Sequence, residues 1–201
     1  MAPRKTRFLP GLHGVCLMIG PVLFVLSTFF WLPNGSYGAT AGALIVLSLV
    51  FWIAGLLGVL DTLRVRMPVY SGLVLLVLVY GAIGGATISA RGLFEEPMHW
   101  TRHDSTAVLS ASGLESNVVY YWSAPLFPLA LLLIGAGLAR TRLVPLWTAG
   151  LVCVVGVAFP LSRVPRVSWL AHVVDLMIVV AFGYLGYLYA GKRVAGAART
   201  A

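Results

Sequence analysis

The sequence predicts an all-α integral membrane protein built as a bundle of six transmembrane helices. Of its 201 residues, 60% are hydrophobic and only 10% are charged, whereas a soluble domain carries about 25% charged residues. Six apolar segments are each long enough to cross a bilayer, which takes about 20 residues. None of them alternates strictly between polar and apolar residues, as a barrel strand does, so helices are the structure that satisfies the backbone in lipid.

The six segments account for most of the chain, and we expect residues 1–201 to form a single polytopic membrane domain. The first segment follows a basic tail and has membrane-span length, so we interpret it as a retained helix rather than a signal peptide. The connections are short except for residues 91–117, which form a long loop between the third and fourth helices. The predicted helices cover about residues 8–32, 38–60, 67–90, 118–139, 143–162 and 167–191.

The distribution of basic residues predicts the orientation of the bundle. Ten basic residues lie on the side that carries both termini, and four lie on the side that carries the long loop. The positive-inside rule therefore predicts a multi-pass plasma-membrane protein with both termini in the cytoplasm and the long loop outside. The larger group consists of Arg4, Lys5, Arg7, Arg64, Arg66, Arg140, Arg142, Lys192, Arg193 and Arg199, and the smaller group of Arg91, Arg102, Arg163 and Arg166.

Several classes of function find no support in the sequence. The net charge of +8 does not indicate a nucleic-acid partner, because the basic residues lie in small groups between apolar runs. His99 and His103 have the spacing H-x-x-x-H, but no second ligand motif accompanies them, so no metal site is predicted. No cofactor is identified, since the histidines do not form a pair at one membrane depth that could ligate a haem. The absence of H-E-x-x-H and paired D-x-x-D motifs leaves open whether the protein is an enzyme.

Asp175 is the most informative residue of the chain. It lies about eight residues into the sixth predicted helix, or about 12 Å below the outer end of that helix. A carboxylate at this depth is costly unless it is paired, protonated or hydrated. His172 precedes it by three residues and lies on the same helix face. We therefore interpret Asp175, assisted by His172, as the candidate proton donor or acceptor of a functional site.

Other polar and aromatic side chains are concentrated in the outer half of the predicted bundle, whereas the inner half is almost entirely aliphatic. This pattern indicates an outward-opening pocket with Asp175 at its floor and the long loop as a lid. A purely structural network, in which Asp175 bonds Tyr80 or Ser48, is the alternative. The candidate ligand-binding residues are Tyr80, Tyr120, Tyr121, Trp122, Trp169 and Ser48.

Three hypotheses of function follow from these observations, and all place the protein in a lipid bilayer. In the first, the pocket binds or converts a lipophilic small molecule, with Asp175 exchanging a proton. In the second, the protein is a proton- or cation-coupled transporter or channel, which requires a polar route on both sides of Asp175. In the third, it is a non-catalytic membrane subunit or sensor whose outer loop docks a membrane or extracytoplasmic protein partner.

Overall fold

The computed structural model describes residues 8–33 and 36–191. It confirms an all-helical architecture with six helices long and apolar enough to span a membrane. The basic tails 1–7 and 192–201, which contribute to the predicted charge asymmetry, lie outside the described residues. The long helices are α1 (Phe8–Thr28), α2 (Gly38–Arg64), α3 (Pro68–Ala90), α7 (Leu126–Thr141), α8 (Leu146–Arg163) and α9 (Ser168–Ala190); between α3 and α7 lie α4 (Gly92–Glu95), α5 (Arg102–Ala111), α6 (Gly113–Ser116) and a π-helical turn (Asn117–Tyr121).

The six long helices form a closed ring in chain order. Each packs against its neighbours in sequence, and α9 returns to pack against α1. The interior of the ring is filled by large apolar side chains. Trp52 of α2 is fully buried at the centre, with its ring 5.6 Å from Phe24, 5.4 Å from Phe127 and 5.0 Å from Phe182, all in edge-on geometry. Aromatic pairs at such distances add to the stability that their burial provides.

Glycines allow the helix backbones to approach closely at two places. A Cβ on Gly81 would lie 2.1 Å from the backbone nitrogen of Phe127, so α3 and α7 pack backbone to backbone. A Cβ on Gly14 would lie 2.5 Å from the backbone nitrogen of Ala190, so the start of α1 meets the end of α9. We call this the termini end of the bundle, and the opposite end, which carries α4–α6, the loop end.

The spanning segments differ in length. The α8 helix has 18 residues, or about 27 Å at about 1.5 Å per residue. The third spanning segment runs from Pro68 to Glu95, over 28 residues, and so includes both α3 and α4. The fourth spanning segment runs from Gly113 to Thr141 and includes the π-helical turn and α7. The fourth span therefore begins earlier than the predicted residue 118.

The segment predicted as a loop is folded into short helices, which together with Arg91 we call the cap (residues 91–116). Its longest helix, α5, begins with a capping box, in which Thr101 Oγ1 accepts from Asp104 N and Asp104 Oδ2 accepts from Thr101 N at 2.7 Å. Two hydrogen bonds connect the cap to α2 and to the turn after α8. Glu96 Oε2 accepts from Ala39 N at 2.6 Å, and Arg102 Nη1 donates to Val164 O at 2.9 Å.

Candidate functional site

A buried ion pair lies at the loop end, between α8 and α9. Asp175 lies seven residues after Ser168, the first residue of α9, which places it about 10 Å into that helix. Its carboxylate accepts a hydrogen bond from Nη2 of Arg163, the last residue of α8. Arg163 Nη1 donates to Thr28 Oγ1 of α1 at 3.0 Å. Both charged side chains are almost completely buried, and together they connect three helices.

Aromatic rings surround the guanidinium of Arg163. Its central carbon lies 4.6 Å from the ring centre of Phe24, 5.0 Å from that of Trp31 and 5.9 Å from that of Phe159. The negative faces of aromatic rings attract cations, most strongly where water is excluded. The sequence supplies these rings from the loop-end half of α1, from the residues after it, and from α8. The cation is therefore stabilised by one carboxylate, one hydroxyl and three rings.

The pair leaves two polar atoms without a well-directed hydrogen bond, Arg163 Nε and Asp175 Oδ2. The Thr28 hydroxyl also lies near the Asp175 carboxyl. His172 Nδ1 is 3.9 Å from Asp175 Oδ2, which is beyond hydrogen-bond distance. The His172 ring is 43% exposed and packs on Phe29 at 4.9 Å. The imidazole thus occupies the outer rim of the site, with the unbonded carboxylate oxygen facing it.

A second arginine extends the arrangement along the turn between α8 and α9. The Arg166 guanidinium lies 4.1 Å from the ring centre of Tyr37, and Tyr37 packs edge-on against Trp31 at 5.8 Å. Since Trp31 also lies under Arg163, the two packed rings lie between the two cations. Burial lowers the pKa of the Arg166 guanidinium, and the nearby Arg102 cation lowers it further, against the opposing influence of Tyr37 and Glu95.

A small cavity adjoins these rings inside the ring of helices. Its volume is about 50 Å³. A cavity of this size is too small for an organic ligand, and its largely apolar lining offers few partners to a water molecule. It is lined by Phe24, Tyr37, Ile45, Leu49, Gly85, Ser89, Phe127 and Phe159.

A second ion pair fixes the interior of the cap. Arg91 bridges to Glu95 at 2.8 Å, and Glu95 is 3% exposed. The same carboxylate accepts a hydrogen bond from the Ser105 hydroxyl, and Arg91 also donates to the Tyr120 hydroxyl. The buried carboxylate of the cap is therefore satisfied from within the protein, as a buried charge must be.

An apolar groove of about 160 Å³ lies in the cap, above this ion pair. Phe94 and Trp100 supply aromatic walls, and Val108 and Leu109 of α5 supply the aliphatic ones. Arg91, Glu95 and Ser105 also line the groove, but the surface that it exposes is apolar. A ligand in this groove would thus meet carbon rather than hydrogen-bonding groups.

The structure brings only some of the predicted site residues together. Asp175 and His172 are neighbours. Tyr120 belongs to the cap network, and the Tyr121 hydroxyl lies 3.3 Å from that of Ser110. The other four lie elsewhere: Tyr80 donates to Val118 O, Ser48 is buried with no hydrogen-bond partner for its hydroxyl, and Trp122 and Trp169 are exposed. Among residues 8–33 and 36–191, no three His, Cys, Asp or Glu side chains converge as a metal site requires.

Arg163 was not predicted from the sequence as the partner of Asp175. Arg163 and Arg166 were assigned to the outer connections on charge alone, and no role was predicted for Trp31 or Tyr37. One signal was present in the sequence: an arginine ends one apolar segment, and an acid follows about two turns into the next. In a short helical hairpin this spacing allows the long arginine side chain to reach down to the carboxylate.

No family model, curated protein or solved structure matches this chain. The geometry of the loop end is therefore the basis on which a function is proposed.

Proposed function

We propose that this protein binds a lipophilic small molecule of the membrane at its loop end, in the groove of the cap. The observation that supports this most is the groove itself, an apolar space walled by Phe94, Trp100, Val108 and Leu109. Ligand sites are typically concave and lined by apolar and aromatic side chains. The groove combines these properties with access from outside the bundle.

The position of the groove supports a ligand that arrives from the bilayer. The third spanning segment ends at Glu95, which lines the groove, so the groove lies where the apolar span meets the cap. Large apolar side chains next to it are more than half exposed, namely Leu93, Phe94 and Met98. A molecule dissolved in the lipid can thus reach the groove along a continuous apolar surface.

In this proposal Asp175 serves the site chiefly through Arg163. The ion pair joins α8 to α9 next to the turn that connects them (residues 164–167). Arg102 of the cap donates a hydrogen bond to Val164 O of this turn. The carboxylate oxygen of Asp175 that faces His172 is the group we propose for proton exchange, at the rim of the ion pair rather than in the groove, whose lining does not include Asp175. Binding itself requires no such step.

Of the two alternative functions, one receives specific support. Exposed apolar side chains on the cap, including Phe94, Met98 and Leu114, would also suit a protein partner in or near the membrane. A transporter receives less support, because the side chains of α9 that follow Asp175 toward the termini end include Ile178, Phe182 and Leu185, all packed in the apolar core. Between Asp175 and Tyr184, α9 carries no polar side chain.

We also propose the orientation from charge. The basic residues of the connections at the termini end, together with those of the two tails, place that end in the cytoplasm and the cap outside the plasma membrane. A ligand would then enter the groove from the outer leaflet.

Photolabelling of the full-length protein in lipid nanodiscs tests the proposed binding. A fatty acid with a diazirine in its chain should label the peptide that contains Trp100, Val108 and Leu109. Val108→Trp should fill the groove and reduce this labelling several-fold. Val154→Trp is the matched control, since Val154 has a similar exposure in an apolar groove between α7 and α8, far from the cap. Equal labelling of the cap in both variants would contradict the proposal.

A further inference from the structure

Exposed arginines gather at the termini end, where one turn joins α2 to α3 and another joins α7 to α8. Arg64 and Arg66 lie at the first turn, Arg140 and Arg142 lie at the second, and all four side chains are exposed. Arg66 Nη1 donates to Thr141 O at 2.6 Å. Since Thr141 lies between Arg140 and Arg142 in the chain, this hydrogen bond brings the basic residues of the two turns to one place.

Arg66 has a structural role in this arrangement. The α7 helix ends at Thr141, and the last carbonyl groups of a helix have no partner within it. The Arg66 guanidinium satisfies one of them, as basic side chains often do at helix ends. The second turn is thereby fixed against the first. Arg140 and Arg142 flank the bonded carbonyl, and no ion pair of the described residues includes either of them.

The acidic residues of the protein lie elsewhere or stand apart from this pair. Asp61, which is exposed near the end of α2, is the acid of this end, and it forms no ion pair with Arg140 or Arg142 within the described structure. Asp175 accepts from Arg163 at the loop end. The remaining four acids of the chain belong to the cap: Glu95, Glu96, Asp104 and Glu115.

An aromatic residue marks the membrane level of the two arginines. Trp147, the second residue of α8, is more than half exposed, as is Leu146 before it. The Trp147 ring lies 4.7 Å from that of Tyr184 on α9. Exposed Trp and Tyr side chains are enriched at the boundary between hydrocarbon and water. The turn just before Trp147 therefore lies at the level of the lipid headgroups, where the phosphates are.

We propose that Arg140 and Arg142 bind the headgroup phosphate of an anionic phospholipid, whose chains lie along the exposed Leu146 and Trp147. Guanidinium groups suit phosphate oxygens because they donate in a planar fork. Basic groups between membrane helices are typical sites for anionic lipid headgroups on the cytoplasmic side, which is the side that we propose for this end. The inference concerns the opposite end of the bundle from the cap groove and does not depend on a ligand there.

The test measures lipid retention by the full-length protein in nanodiscs of phosphatidylcholine that contain a minor fraction of phosphatidylglycerol. Native mass spectrometry of the released protein should show preferential retention of phosphatidylglycerol. Arg140→Gln/Arg142→Gln should reduce this preference roughly thirtyfold, since each basic residue near an anionic membrane surface contributes about fivefold. Both side chains are exposed, so the variant should fold. Arg140→Lys/Arg142→Lys keeps both charges and should retain most of the preference.

A single exchange at each end separates a local site from the net charge of the protein. Arg142→Gln should reduce the preference about fivefold, whereas Arg102→Gln, which removes an exposed cation from the cap, should leave it unchanged. Equal losses in these two variants, or wild-type retention by the double Gln variant, would overturn the site. Displacement of the retained phosphatidylglycerol by inorganic phosphate would assign the arginines to a soluble anion and overturn the lipid assignment.

Discussion

The guanidinium of Arg163 donates to the carboxylate of Asp175 across the hairpin of α8 and α9, and both side chains are shielded from water. The acid that the sequence places in the membrane is thus matched by a cation from the neighbouring helix. Thr28 and three aromatic rings complete the surroundings of that cation. Removal of either charge would leave the other without compensation in an apolar environment.

Asp175→Ala should lower the free energy of unfolding by about 3–5 kcal/mol, because it leaves the Arg163 guanidinium buried and unpaired. The measurement is the unfolding midpoint of the purified protein in detergent. The double variant Arg163→Met/Asp175→Leu removes both charges and should be considerably more stable than Asp175→Ala. If the single variant is as stable as the wild type, the carboxylate is not essential to this end of the bundle.

Thr28→Val should have a smaller effect in the same assay. The hydroxyl accepts one hydrogen bond from Arg163, and a hydrogen bond to a charged group contributes about 1.5–3 kcal/mol. Thr87→Val is the control, since the Thr87 hydroxyl donates only to a carbonyl of its own helix, Ile83 O. Equal losses in the two variants would show that the contact with Arg163 adds nothing specific.

Gly81→Ala should destabilise the contact between α3 and α7. The added methyl group would meet the Phe127 backbone, which cannot move aside as a flexible side chain can, and overpacking of this kind costs about 1–3 kcal/mol. Gly72→Ala, on the same helix, meets no atom within 4 Å and should be neutral or slightly stabilising. Comparison of the two thermal midpoints decides whether space, rather than helix propensity, selects glycine at position 81.

The stability of α5 should depend on pH through Asp104. The Thr101 hydroxyl and amide lower the pKa of the Asp104 carboxyl. A lowered folded-state pKa means that the contribution of Asp104 is fully present above its ordinary pKa of about 4 and is lost as the pH falls through the lower folded value. Amide hydrogen exchange across α5, corrected for its intrinsic pH dependence, should show weaker protection only at this acidic limit. In Thr101→Val the Asp104 carboxyl should titrate closer to its ordinary pKa. An unchanged titration would contradict the role of the Thr101–Asp104 capping box.

Hydropathy predicted the spans well because a bilayer constrains length and composition directly. The third helix, expected at 67–90, is observed at Pro68–Ala90, and the sixth, expected at 167–191, at Ser168–Ala190. The cap was less predictable, since its short helices are stabilised by contacts such as that of Glu96 with α2, which join residues 57 positions apart. The Thr101–Asp104 capping box was a local signal for α5 that the sequence analysis did not use.

The candidate site could be predicted only in part. Asp175 stood out because an acid is rare in such a segment, and the structure places His172 beside it. An arginine at a helix end, by contrast, can extend toward water or turn inward, and hydropathy does not distinguish the two directions. Arg163 turns inward because Thr28, the three rings and Asp175 converge on it, and that convergence depends on the closed ring of helices.

The short α8 helix also has a consequence for the surrounding lipid. At about 27 Å it is slightly shorter than a typical hydrocarbon core of about 30 Å, while the α3–α4 stretch, at about 42 Å, is considerably longer. The hydrophobic thickness of the protein therefore varies around its circumference. Lipids along α8 would be compressed and those along α3 extended, and such mismatch influences which membranes a protein enters and where it resides within them.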